Sequence, residues 1–526
     1  MGSQVGRVVN LWLIALLSGV GVAMAAEPDL RLVNAAAQQD RQLVRTLLKE
    51  GVDVNVPRAD GATPLLWAAH WDDLETVDLL LRAGAKANAA DDHGVTALVR
   101  ACENASVRMV EKLLAAGGNV NAAQTSGLTP LMMAAQTGNV KVVKALLARG
   151  ANVNTATTET NQTALMWAVA EGHLDIAQIL VEVGADAHVS SRKAFTPLLF
   201  AARNGDIEMA KVLLAAGVGV DEPASDGTHA LPFAIVSGHD LFALFLLEQG
   251  ADPDGTMAGV TALHAAAGNV GTWLGDWTRV HGSRGPASLH PTRRLPLVEA
   301  LIARGADPNA RITTSAVMLE IATPRHGAFE PYSVGTGDVR GATPLWVAAF
   351  SSIGGGLFGE LSSYRVESSA EIMSVLLAAG ADHRLTTDDG TTPLMVAAGM
   401  GDRTYQPRKP RGDRSPSAEA AVKTLVEAGA NVNAINEADF TALHAAAFRG
   451  LNEVVQYLVE HGANINARDF RGRTPFRIAE GAKQSFQFQS WPETSELLRQ
   501  LGANTRLGIP GFVQERGRDV APGSQP

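Results

Sequence analysis

The chain of 526 residues holds one cysteine, Cys102, so no disulfide can form within it. Aromatic residues are only 5% of the total, which fits a core of many thin layers of small side chains. Positive charge is in deficit. The net charge of −10 argues against general affinity for nucleic acid or an anionic membrane. After residue 22 no apolar run is long enough to cross a bilayer. Histidines and carboxylates show no metal-ligand spacing, and Gly354-Gly355-Gly356 lacks the Lys-Ser/Thr of a phosphate loop. No nucleophile–base or carboxylate pair sits in a recognisable motif. The expectation is a chain without metal, cofactor or catalysis of its own.

The one long apolar run lies at the start. Arg7 precedes the stretch Val8 to Val22, and Ala23-Met24-Ala25 has the small-x-small form of a cleavage site. Residues 1–25 are therefore expected to be a secretory signal, with a mature chain that begins near Ala26 and no membrane span once the signal is removed. A secreted chain without disulfides, rich in Ala and Arg, is expected in the bacterial periplasm or outside the cell. Cys102 replaces the second Ala of an Ala-Ala pair, so it reads as a small packed residue.

What is abundant is repetition. A glycine closes an apolar helical run at Gly51, Gly84, Gly117, Gly150, Gly184, Gly217, Gly250, Gly305, Gly380, Gly429, Gly462 and Gly502. The first six intervals are 33, 33, 33, 34, 33 and 33 residues, and the later ones are 55, 75, 49, 33 and 40. A period of this size means stacked supersecondary units. Units open with Thr-Pro-Leu at Thr63, Thr129, Thr196, Thr343 and Thr392, and with Thr-Ala-Leu at Thr96, Thr163, Thr261 and Thr441. Thr caps a helix well, and Pro at the first helical position loses no needed N–H. Ala pairs such as Ala68-Ala69 and Ala134-Ala135 let helices approach. A second run at helical spacing follows, as in Val142, Val143, Leu146 and Leu147.

The Thr-Pro-Leu-x-x-Ala-Ala opening, the Leu-Leu-x-x-Gly-Ala-Asp/Asn ending and the asparagines Asn55, Asn154, Asn433 and Asn466 closely resemble the ankyrin repeat. The resemblance runs from about residue 30 to 507. It implies an all-α solenoid of about twelve helix–turn–helix units with short hairpin loops, a protein partner and no catalytic residues. Terminal copies depart from the pattern: the first begins Arg31-Leu32-Val33-Asn34, and the last has Ala479-Glu480 after Thr474-Pro475-Phe476. Such departures are expected where one face meets water.

The organisation expected is a signal at 1–25, regular repeats with an N-terminal cap at 26–260, and repeats with long insertions at 261–428. C-terminal repeats with a cap follow at 429–507, and a flexible tail at 508–526. From Thr63 to Gly84 is 21 residues, but Thr261 to Gly305 is 44, Thr343 to Gly380 and Thr392 to Gly429 are 37 each, and Thr474 to Gly502 is 28. In all four the extra residues fall between the two helices, which predicts emergence on one edge. A further insertion, around 311–339, lies in a hairpin loop.

Two surfaces are candidates for the partner. One is a ladder on the first helices, Trp67, Arg100, Met133, Trp167, Phe200 and Phe233, with Trp71 and His70 beside it. In the ankyrin pattern this position faces the concave surface, and packing between neighbouring first helices explains it as well. The other is the insertion edge, with Trp273, Trp277 and Arg279 in the first insertion, Tyr364 in the second, and Tyr405 and Arg408 in the third. Aromatics and Arg favour interface hot spots, and the first and third insertions are basic islands; bracing of the stack is the alternative. His264 and His444 hold a position where ankyrin repeats commonly carry a structural histidine. The sequence thus reads as a monomeric, non-catalytic scaffold of the cell envelope that binds a protein and no nucleic acid. An accessory subunit that takes an anionic small ligand or polysaccharide on its basic insertions is the alternative.

Overall fold

The computed structural model describes residues 28–274, 277, 279, 281, 289–314, 338–352, 368–400, 414–484 and 487–508. The signal segment, Tyr364, Tyr405, Arg408 and the tail beyond 508 lie outside these residues.

The local chemistry builds each unit as its spacing requires. Thr63 is extended, and its hydroxyl accepts the Leu66 N–H at 3.3 Å, capping helix Pro64–His70. Such a cap contributes about 1 kcal/mol. The same device starts the first helices after Thr96, Thr163, Thr196, Thr343 and Thr474. A tight turn through Asp72 follows. The Asp73 carboxylate then accepts the Thr76 N–H and opens helix Leu74–Arg82. Gly84, with φ at +88°, ends it in the left-handed region that residues with a Cβ avoid. Leu66, Ala68 and Ala69 of the first helix and Val77 and Leu80 of the second are buried. Burying each leucine contributes roughly 1.5–3 kcal/mol.

Twelve helix pairs of this kind follow one another among the described residues, from Arg31–Ala37 with Arg41–Lys49 to Pro475–Glu480 with Pro492–Gln500. The chain divides into two compact units, Met1–Thr137 with Lys141–Ala151, and Gly138–Val140 with Asn152–Pro526. Each is the all-α ankyrin-type stack that the sequence predicts. Among the described residues, strand is confined to two small antiparallel hairpins, Thr256–Met257 with Val260–Thr261 and Ala482–Gln484 with Gln487–Gln489. The four extra stretches fall between paired helices, after Ala267, Ser351, Ala397 and Glu480.

An asparagine ladder ties many of the hairpins to the next. In the first unit, Asn55 donates to the Gly84 carbonyl at 3.2 Å and accepts the Lys86 N–H at 2.8 Å. Asn88 does the same with Gly117 and Asn119. In the second unit, Asn154 holds Gly184 and Asp186, Asn309 holds Gly380 and Asp382, and Asn433 holds Gly462 and Asn464. At positions 221 and 254 the rung is an aspartate. Asp221 accepts the Asp252 N–H and Asp254 the Asp307 N–H, but a carboxylate has no N–H to give. Burial raises the Asp254 pKa; the Asp307 N–H opposes this, and the charges of Asp252 and Asp307 add to it.

Cys102 is fully buried, and burial pushes its thiol well above the usual range, so it behaves as a packing residue. His264 and His444 are also fully buried. In each, Nδ1 takes the N–H of its capping threonine, Thr261 or Thr441, at 3.3 and 3.2 Å. Nε2 faces a carbonyl of the following unit, Ala342 at 3.0 Å and Arg473 at 3.2 Å. This fixes the neutral tautomer with the proton on Nε2. The hydrogen bonding is structural, as the sequence pattern implied.

Candidate protein-interaction face

The face of the first helices carries the predicted ladder, and the two units present it differently. In the first unit it is open. Trp67 is half-buried, and Trp71, one turn on, is 43% exposed. Their rings stack at 6.5 Å, and His70 meets Trp71 edge-on at 4.7 Å and Trp67 at 5.6 Å. The Trp71 N–H donates to the Ala37 carbonyl at 3.0 Å, which fixes its ring. The Arg58 guanidinium lies 5.6 Å from the Trp67 ring centre, within cation–π range. The Trp67 N–H has no acceptor among the described residues. Arg100, paired with Glu103 at 2.7 Å, and Met133 continue the face, both half-buried.

In the second unit Trp167 is half-buried, and its N–H too has no acceptor among the described residues. Phe200 and Phe233 are only 5% and 2% exposed. For Phe233 the reason is the first insertion, and for Phe200 it is Phe195, 5.0 Å away ring to ring, with Arg203. Trp277 lies 5.4 Å from Phe233 and 6.2 Å from Phe195, ring to ring. Its N–H donates to Asp226 Oδ2 at 3.0 Å. His281 stacks on Trp277 at 4.0 Å, with its Nε2 2.9 Å from the same Asp226 oxygen. The Arg203 guanidinium covers the far side, 4.9 Å from Phe200 and 5.7 Å from Phe195. Burial raises the Asp226 pKa, but hydrogen bonds from the Thr228 backbone and hydroxyl and from Trp277, with the His281 charge, outweigh it. The carboxyl ends below its ordinary value.

The ladder and the first insertion, read in the sequence as alternatives, therefore meet at Phe233. Trp273 does not reach the surface. It is 6% exposed and packs at 6.2 and 5.8 Å against Trp346 and Phe350 of the next unit, so it braces the stack. A tryptophan in an aromatic-poor stack finds an apolar seat more readily than water. Arg279 is exposed. Three further basic residues of the insertions have contacts within the chain. Arg293 pairs with Asp240 at 2.8 Å, Arg414 pairs with Glu419 at 2.7 Å, and buried Arg294 donates to the Ala265 and Ala266 carbonyls at 3.2 Å. Sequence reasoning missed Phe195, Arg203, Asp226 and Arg58. Only Phe195 carried a signal, a large ring one residue before a capping threonine, a place it shares with Phe440 and where other units have Ala62, Val95 or Leu128.

Helix pairs stacked in this way define a helical-repeat protein. The family description "Ankyrin repeats (3 copies)" matches residues 32–124, 105–191, 184–257, 363–469 and 414–486. The chain belongs to the ankyrin-repeat family, whose members generally serve as protein-interaction modules. It is 37% identical over 142 residues to the Neurogenic locus Notch protein of Drosophila melanogaster, a stretch covering 26% of this chain and 5% of that protein. The crystal structure of the human ASB11 ankyrin repeat domain is 27% identical, with a TM-score of 0.38, and the match covers 42% of this chain and 98% of that domain.

Proposed function

We propose that the protein is a non-catalytic scaffold of the cell envelope that binds a protein partner through the face of its first helices. The observation that carries this is the Trp67–His70–Trp71 cluster. In a chain with 5% aromatics, three rings sit together on one face, with Trp71 43% exposed. Desolvated aromatic anchors of this kind carry most of the binding energy at interfaces. Capture of a partner from native envelope extract, followed by affinity measurement, tests it. Trp67→Ala and Trp71→Ala should each weaken binding by about 2 kcal/mol or more. Leu241→Ala, on an exposed second-helix position, should leave it unchanged. Trp variants that are folded by circular dichroism and bind as the wild type would remove this face from consideration.

The envelope location rests on the N-terminal segment. N-terminal sequencing of the protein from its source should find a chain that starts near Ala26. An intact Met1 on a soluble cytoplasmic pool would overturn the location and leave the binding face untouched.

A further inference from the structure

The seat under the first insertion is made of Phe195, Phe233 and Asp226. Asp226 already has a structural task, since its Oδ1 takes the Thr228 N–H at 3.0 Å. Asp60 does the same for Ala62, at 3.0 Å, with no tryptophan or histidine over it. The turn therefore does not need Trp277 or His281. Those two residues come from an insertion that the regular repeats lack, and they reach the seat from 51 residues along the chain.

What they present is specific. Trp277 and His281 are each helical and four residues apart, the spacing at which two side chains share one side of a helix. Trp277 fills the apolar part of the seat and gives its N–H to Asp226 Oδ2. His281 brings a second N–H to the same oxygen, and its side chain is only 8% exposed. His281 Nδ1 lies 2.7 Å from the Trp277 carbonyl, which locks ring and helix together. The seat thus reads an aromatic ring at one position and a nitrogen donor four residues later.

We propose that this seat is a binding site for a helical segment of a partner with that code, an aromatic residue followed at the fourth place by His, Lys or Arg. Trp277 and His281 are the chain's own occupant and keep the seat closed until a competitor displaces them. The proposal rests on the reading of the first-helix face as the interaction surface. It adds the chemistry of the partner and a control on access. A tethered occupant acts at an effective concentration on the order of millimolar. A free helix with an intrinsic Kd on the order of 10 µM would then bind about a hundredfold more weakly than to an empty seat.

The test uses the full chain and a fluorescein-labelled peptide of its own residues 269–285, followed by anisotropy. Trp277→Ala combined with His281→Ala empties the seat, and circular dichroism checks the fold. The peptide should bind this variant at least tenfold more tightly than the wild type. Adding Asp226→Asn should weaken that binding at least tenfold. If the double variant does not fold, His281→Ala alone gives the deciding comparison, with a smaller gain in the same direction. No binding to a folded, emptied variant would overturn the proposal, as would binding indifferent to Asp226→Asn. Partner capture through Trp67 and Trp71 is scored on the same proteins. Retained capture with no peptide binding defeats only this inference. Peptide binding with capture insensitive to Trp67 and Trp71 defeats only the open-face reading.

Discussion

Asp469→Ala should destabilise the second unit by about 3–5 kcal/mol, the usual loss when one partner of a buried ion pair is removed. The Asp469 side chain is fully buried and that of Arg473 is 5% exposed, with Nε to Oδ2 at 2.7 Å. Asp469 Oδ1 also accepts the N–H groups of Arg473 at 2.7 Å and Arg471 at 3.1 Å. Alanine strands a guanidinium and two backbone donors together. The damage should spread, because the Arg473 carbonyl is the acceptor for His444 Nε2. Asp469→Asn, which keeps the shape and loses the charge, should fall between. Asp469→Ala with Arg473→Met should recover part of the loss, since no lone charge remains. Urea unfolding followed by circular dichroism measures all three. A wild-type midpoint for Asp469→Ala would show that the pair contributes nothing.

Mild acid should weaken the same unit through its two buried histidines. Burial lowers the pKa of His264 and His444 from 6.5 to about 4, against the opposing pull of their carbonyl partners and, at His444, first of the Asp469 charge. Between these values the unfolded chain takes up protons that the folded chain refuses. Stability therefore rises with pH across this window. The contribution is fully present above pH 6.5 and is lost as pH falls through about 4. From pH 6.5 to 5, where ordinary carboxyls stay largely ionised, the loss is roughly 2 kcal/mol per histidine. His264→Gln and His444→Gln should each lower the starting stability and flatten the dependence of the urea midpoint on pH in this range. A slope unchanged in the double variant would assign the acid sensitivity to other groups.

The fold was legible because each unit repeats its own instructions. Thr63 and its equivalents cap, Ala68-Ala69 permits close approach, and Gly84 and its equivalents stop the second helix. These are local effects, and repetition makes them unmistakable. The position of each insertion was legible by counting alone. The occupied seat was not, because it depends on where an insertion folds back. Trp273 and Trp277 are four residues apart and look alike in the sequence. One goes into the stack against Trp346, and the other crosses to Phe233 and Asp226. Asp226 resembles any Asp-Gly turn, and no local pattern marks its second oxygen as an acceptor for a residue 51 positions away. The Trp67–Trp71 cluster was legible in part, since both residues fall at variable positions of the repeat. Arg58 joins it from the preceding hairpin, which spacing on the helix could not reveal.

The asparagine rungs carry a mechanical consequence. A rung such as Asn433 grips the next hairpin at two points, a carbonyl and an N–H, so tension on one loop passes to its neighbour without straining the helices between them. Asp221 and Asp254 grip through the N–H alone. A pull along the second unit would therefore meet less resistance at these two one-point joints than at a two-point rung such as Asn433.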